Sequence, residues 1–146
     1  MLNSHAIPKE IMIEFFSIVY LKKTLDSWEK VRGLDDYDFY FKIEPSEHTQ
    51  GILDVIGNFD SHRNSVSTIL LNKTVLGNGF NAWEALDSLF QKYDFVILAE
   101  DDIIVSKDIL EYFNFTEKMF NDKSEIAIVS ANTKGKSSEA HLLVRE

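Results

Sequence analysis

Three consecutive carboxylates, Glu100, Asp101 and Asp102, follow the apolar run 95–99 and are the residues of this sequence best suited to chemistry. Two like charges 4 Å apart repel by roughly 4 kcal/mol at an effective dielectric near 20, so converging carboxylates need a counter-charge. A divalent cation supplies that charge. Oxygen ligands suit Mg²⁺ or Mn²⁺, which keep bound waters and share their coordination with the phosphates of a ligand. The alternative is an acidic turn that is simply solvated.

The elements around the triplet must place it at the edge of a sheet for this chemistry to work. Hydrophobic periodicity predicts helices at about 19–31, 46–57, 81–93 and 106–120, and strands at 37–43, 66–71, 95–99 and 126–129. The uninterrupted apolar runs at 95–99 and 126–129 are typical of strands buried on both faces. The alternation predicts an α/β fold with a mostly parallel sheet and helices on both faces. In such sheets, ligands bind beyond the carboxyl ends of the strands.

Composition excludes several classes of protein. The chain has 146 residues, of which 45% are hydrophobic and 27% charged, as expected for one folded domain. It has no cysteine, which excludes disulfide scaffolds, thiolate zinc sites and thiol catalysis. A net charge of −9 disfavours nucleic-acid partners. The absence of an apolar run long enough to span a bilayer leads us to expect a cytoplasmic protein without a membrane partner.

The segment 95–113, FVILAEDDIIVSKDILEYF, resembles the central motif of nucleotide-sugar glycosyltransferases of the GT-A fold. It is most similar to the N-acetylglucosaminyltransferase I-like group, in which Glu-Asp-Asp replaces the more usual Asp-x-Asp. The resemblance implies a GT-A-like fold and a Mn²⁺ or Mg²⁺ cofactor that bridges the diphosphate of a nucleotide-sugar donor, with a UDP-sugar favoured. On the same basis Asp102 is the expected metal ligand, and Glu100 and Asp101 are expected to contact the donor.

Two weaker matches add donor-binding candidates. The segment 39–44, FYFKIE, resembles the strand of this group whose terminal acid contacts the nucleotide base, a role that would fall to Glu44. The segment Gly77-Asn78-Gly79, together with Asn81, resembles the Gly/Asn segment beside the nucleotide, so Gly79 and Asn81 are expected to contact the donor. The alternatives are a surface acid at Glu44 and an ordinary turn with a helix cap at the glycine segment.

The resemblance extends over residues 20–132, which we expect to form the nucleotide-sugar-binding domain. Residues 1–19 are an N-terminal segment of uncertain relation, and 133–146 are a polar tail expected to form a loop. The group carries an Arg at the end of its first strand, where this chain has Ser-Ile-Val at 17–19. The acceptor-binding half and its catalytic base should follow residue 132, so the fold is expected to be incomplete and no catalytic residue is assigned.

These features predict the donor-binding domain of a metal-dependent glycosyltransferase, which transfers a hexosyl or N-acetylhexosaminyl group from a nucleotide-sugar to an unknown acceptor. The alternative is a non-catalytic module of the same fold that binds a nucleotide or a partner without turnover. The missing arginine and the missing acceptor half favour this alternative.

Overall fold

Strands and helices alternate throughout the computed structural model, which describes residues 9–14, 18–64, 67–120 and 122–131. In chain order the elements are β1 (Lys9–Glu14), α1 (Ile18–Trp28), β2 (Tyr37–Ile43), α2 (Thr49–Asp60), β3 (Ser67–Leu71), α3 (Asn78–Phe90), β4 (Val96–Glu100) and α4 (Ile109–Phe120), with a short 3-10 helix at Leu34–Asp36. The α/β class predicted from the sequence is therefore confirmed. The predicted helices, and the first three predicted strands, agree with these bounds to within three residues at each end.

The four strands form one all-parallel sheet in the order β3-β2-β1-β4. In the inner strand β1, Glu14 lies in register with Lys42 of β2 on one side and with Glu100 of β4 on the other. The chain steps outward from β1 to β3 and then returns across the sheet to β4. This is the order of the first four strands of a Rossmann-type doubly wound sheet. Right-handed crossovers then place α1 and α2 on one face and α3 on the other.

The main core lies between the sheet and helices α1, α2 and α4. Phe39 and Phe41 of β2 are fully buried and stack with their ring centroids 5.6 Å apart. Trp28 of α1 and Phe59 of α2 meet the Phe39 ring edge-on, at 5.8 and 5.1 Å. Leu110 brings α4 into the same cluster. Since burying a large apolar side chain stabilises the fold by roughly 1.5–3 kcal/mol, these contacts fix α1 and α4 against the same face.

The opposite face carries a smaller core beneath α3. Its buried apolar members are Met12, Tyr40, Ala85 and Leu89. Lys42 is also buried on this face, and its ammonium group pairs with the mostly exposed carboxylate of Glu84 on α3. Among the described helices only α3 packs on this face, and Leu98 of β4 remains 45% exposed. The prediction that β4 is buried on both faces is therefore wrong: only the side with Ile97 and Ala99 is buried.

Strand β1 is the element that the sequence pattern does not identify. It lies inside the segment 1–19, yet it is one of the two inner strands of the sheet and pairs on both sides. The apolar stretch that begins in β1 runs on to Leu21 without Gly, Pro, Asn or Asp, the residues that usually mark the end of a strand. Strand and helix therefore merge into one apolar run when only the sequence is considered.

The predicted strand at 126–129 is wrong. Residues 122–131 contain no helix or strand, and Ile128 is 85% exposed. The position of α4 gives the physical reason. A right-handed crossover from β4 to a parallel strand beyond it requires the connecting helix on the α3 face, but α4 packs on the α1 face. The tail 133–146 lies outside the described residues.

Candidate functional site

The acidic turn, residues Glu100, Asp101 and Asp102, lies where the direction of strand order reverses. β1 leads through α1 to β2 on one side, whereas β4 was reached from the far edge of the sheet through α3. The segment that leaves β4 packs against α1, the helix that follows β1. In doubly wound sheets the crevice outside these two carboxyl ends is the usual ligand-binding position. Glu100 is the last residue of β4, so the turn stands at that position.

The three carboxylates of the acidic turn do not share one environment. Glu100 and Asp102 are exposed, whereas Asp101 between them is only 4% exposed. No hydrogen bond or ion pair links the side chain of Glu100 or that of Asp102 to another residue that the structure describes. The turn thus presents two carboxylates to solvent and uses the third residue to attach itself to the protein.

Helix α1 holds the acidic turn in place through two hydroxyl groups. The fully buried Thr24 places its Oγ1 2.6 Å from the carbonyl oxygen of Asp101 and 2.8 Å from that of Ile103. Ser27, one turn further along, accepts a 3.1 Å hydrogen bond from the backbone N–H of Val105. Ser27 also donates to the carbonyl of Thr24 at 2.7 Å, which fixes its own rotamer. These buried bonds give the turn a defined position relative to β1 and α1.

Sequence reasoning missed Thr24 and Ser27. Both lie among the apolar residues of the buried side of α1, with Leu21, Leu25 and Trp28. Polar side chains that are buried in proteins are nearly always hydrogen-bonded. Two hydroxyl residues within an apolar helix stripe were therefore a signal that this helix binds a backbone segment, although not which one.

A metal ion at the acidic turn would depend on few protein ligands. Within the described ranges, no three His, Cys, Asp or Glu side chains lie close enough together to form a complete site. Mg²⁺ commonly uses one or two carboxylates together with water and substrate phosphates, and oxygen ligands suit Mn²⁺ as well. The exposed Asp102 carboxylate, with no described partner, fits a site of this kind. Glu100 is the second exposed carboxylate available to it.

Glu44 has a structural role in the fold. Its Oε1 accepts hydrogen bonds from the backbone N–H groups of Leu76 and Gly77, both at 2.7 Å. The carboxylate therefore ties the end of β2 to the loop that begins α3, where a negative charge is favourable next to the helix N-terminus. β2 and β4 are second neighbours in the sheet, so their ends are separated by about 10 Å. Glu44 thus lies on the same edge as the acidic turn but not beside it.

Asn81 and Gly79 lie in the first turns of α3. Asn81 is fully buried, and its Oδ1 accepts a 2.7 Å hydrogen bond from the side chain of Asn72, just after β3. Its Nδ2 has no hydrogen-bond acceptor among the described residues. Gly79 is exposed, and a Cβ there would meet nothing within 4 Å. The structure therefore places these two residues at the α3 end of the carboxyl edge, apart from the acidic turn.

Two cavities of the described structure lie elsewhere. One, of about 70 Å³, is lined by Leu25, Val55 and Phe59 between α1 and α2. The other, of about 390 Å³, is at the amino end of the sheet beside Asp35 and Arg63. Neither includes a residue of the acidic turn.

Comparisons with known proteins leave the resemblance in the sequence as a hypothesis. No protein-family model matches this chain, and no curated protein is similar enough to count as a match. Among the helices that the structure describes, none is long and apolar enough to cross a membrane.

Proposed function

We propose that this chain is the donor-binding domain of a metal-dependent glycosyltransferase that transfers a sugar from a nucleotide-sugar to an acceptor. The observation that carries the proposal is the position of the acidic turn at the carboxyl edge between β1 and β4, where doubly wound sheets bind ligands. The resemblance of segment 95–113 to the GT-A motif gives the class of ligand, a nucleoside diphosphate sugar.

The exposed carboxylates define the chemistry of the proposed site. Asp102 would hold Mn²⁺ or Mg²⁺, with Glu100 beside it and water or phosphate oxygens completing the coordination. Such an ion neutralises a diphosphate and stabilises the charge that develops on the leaving nucleoside diphosphate. The protein's own part is to position the backbone that carries the carboxylates, and the bonds from Thr24 and Ser27 to the backbone of Asp101 and Val105 support this role. Preorganised charge of this kind needs no rearrangement during the reaction.

A second candidate is a module that binds a nucleotide without turnover. It is supported because two residues expected to contact the donor are hydrogen-bonded within the fold instead. Glu44 is bonded to the loop before α3, and Asn81 is bonded to Asn72 inside the fold. In this candidate the edge retains the acidic turn for diphosphate binding but has no catalytic base. A donor-hydrolysis and transfer assay on this chain separates the two, because only the glycosyltransferase releases or transfers sugar.

The binding step itself is tested by following thermal unfolding in the presence of UDP and Mn²⁺. At a ligand concentration 100 times Kd, binding stabilises the fold by about 2.7 kcal/mol, which raises Tm by roughly 5–10 °C for a domain of this size. The variant Asp102→Asn should lose this rise. Asp87→Asn is the matched control, because Asp87 is also an exposed acid and lies on α3. Absence of a Mn²⁺-dependent rise, or an equal rise in Asp102→Asn, would exclude the proposed site.

A further inference from the structure

The segment after the acidic turn runs alongside α1 in the same direction as the helix. Thr24 contacts the carbonyls of Asp101 and Ile103, and Ser27 contacts the N–H of Val105. The backbone N–H of Arg32, beyond the end of the helix, then donates to the carbonyl of Lys107 at 2.9 Å. These contacts set a register in which later residues of the segment lie lower on α1. The acidic turn therefore stands at or above the level of Thr24, toward the beginning of the helix.

Tyr20 lies on the same side of α1, one helical turn above Thr24. Residues four apart lie nearly above one another on a helix and are separated by about 6 Å along its axis. The side chain of Tyr20 is 53% exposed, although Leu21 next to it is fully buried. An aromatic side chain thus faces solvent on the side of α1 that carries the acidic turn, at the carboxyl edge of the sheet.

We propose that Tyr20 is the stacking surface for the nucleobase of the ligand whose diphosphate binds at the acidic turn. The inference depends on the proposed function, because that function supplies the diphosphate. A nucleoside diphosphate bound through its phosphates near Asp102 has its base free to lie on a neighbouring ring. Stacking on a tyrosine needs no particular hydrogen-bonding edge, so it contributes affinity for nucleotides without selecting strongly among bases.

The experiment compares UDP with inorganic pyrophosphate, each titrated calorimetrically in Mn²⁺ into the full chain. Both probes present a diphosphate, but only UDP has a base. Three variants are used: Tyr20→Ala, which removes the ring, Tyr20→Phe, which keeps it, and Val19→Ala. Val19 is the control because it is 62% exposed on the same turn but points about 100° away around the helix. The melting temperature of each variant shows that it is folded.

Stacking on one base contributes an amount of affinity that corresponds to roughly 5- to 150-fold in Kd. Tyr20→Ala should weaken UDP binding by a factor in this range and leave pyrophosphate binding unchanged, while Tyr20→Phe and Val19→Ala bind both probes like the original chain. Equal effects of Tyr20→Ala on both probes, no effect on either, or a loss of UDP binding in Tyr20→Phe would overturn the inference. Failure of the original chain to bind either probe with Mn²⁺ would instead overturn the proposed function.

Discussion

Replacing Thr24 by Val tests whether α1 positions the acidic turn. Valine has nearly the shape of threonine, so the substitution removes the hydroxyl group with little change in volume. The hydroxyl stands 2.6 Å from the carbonyl of Asp101 and 2.8 Å from that of Ile103, in a site with no solvent exposure. Its removal leaves at least one buried carbonyl without its hydrogen-bond donor.

The structure sets the size of the expected effect. An unsatisfied buried polar group costs about 1–3 kcal/mol, which corresponds to a fall in Tm of roughly 2–12 °C for a domain of this length. Thr116 is the matched control, because it is equally buried but its hydroxyl donates at 2.9 Å to Phe113 within its own helix. Loss of a bond inside a helix leaves no separate segment unattached, so Thr116→Val should cost less stability than Thr24→Val.

Urea unfolding gives the stability of both variants, and a calorimetric titration with UDP and Mn²⁺ gives the state of the site. Thr24→Val should lower stability and also weaken binding, whereas Thr24→Ser, which keeps the hydroxyl, should restore binding. If Thr24→Val loses no more stability than Thr116→Val, the hydroxyl does not hold the turn. If it loses stability but binds UDP as before, the turn keeps its geometry without α1 and the positioning argument fails.

Four further substitutions test one other ion pair and two sets of hydrogen bonds. Glu84→Gln leaves the buried ammonium group of Lys42 without its opposite charge, so it should lower the free energy of unfolding in urea by about 1–3 kcal/mol. Lys42→Met removes that buried charge and should be nearly neutral, and equal losses in the two variants would contradict this difference. Glu44→Gln weakens the charge-assisted hydrogen bonds to the loop before α3, so it should lower Tm but leave Mn²⁺-dependent UDP binding in place. Loss of UDP binding with an unchanged Tm would instead show that Glu44 contacts the ligand. The hydrogen bond from Ser106 lowers the pKa of Asp108 from its usual 3.8. The ionised Asp108 therefore stabilises the fold above pH 3.8, and this stabilisation is lost as the pH falls through the lowered pKa. The original chain should melt at a higher temperature than Asp108→Asn, and this difference in Tm should shrink below about pH 3.8. A difference that grows below this pH would contradict the direction of the pKa shift.

Much of the fold could be predicted because its elements have clear periodicities and endings. The strand at Tyr37–Ile43 is bounded by turn residues on both sides, and α1 shows an apolar stripe at Leu21, Leu25 and Trp28. β1 has the composition of a strand, but no Gly, Pro, Asn or Asp follows it to mark its end. The 126–129 run has the composition of a strand, yet α4 packs on the side of the sheet from which a right-handed crossover cannot place this run beside β4. Local pattern cannot supply that information.

The acidic turn could be located from sequence because consecutive carboxylates after an apolar strand are conspicuous. The residues that hold the turn could not be located in this way. Thr24 and Asp101 are separated by 77 positions and come together only because the chain returns from β3 to β4. Glu44 shows the opposite limit. Its place at the end of β2 was predicted, but the bonds that engage it come from a loop more than 30 residues later.

The division of the acidic turn into exposed and buried residues bears on why three adjacent carboxylates are compatible with a stable fold. Three exposed carboxylates at one point would repel one another, and three buried ones would each require an opposite charge or several hydrogen bonds. The structure buries Asp101, whose carbonyl is bound by Thr24, and leaves Glu100 and Asp102 in water, where their repulsion is weak. Their mutual repulsion becomes large only when a ligand displaces that water. An anionic ligand alone would in addition be repelled by both carboxylates. At this edge, binding of a diphosphate and binding of a divalent cation should therefore each favour the other.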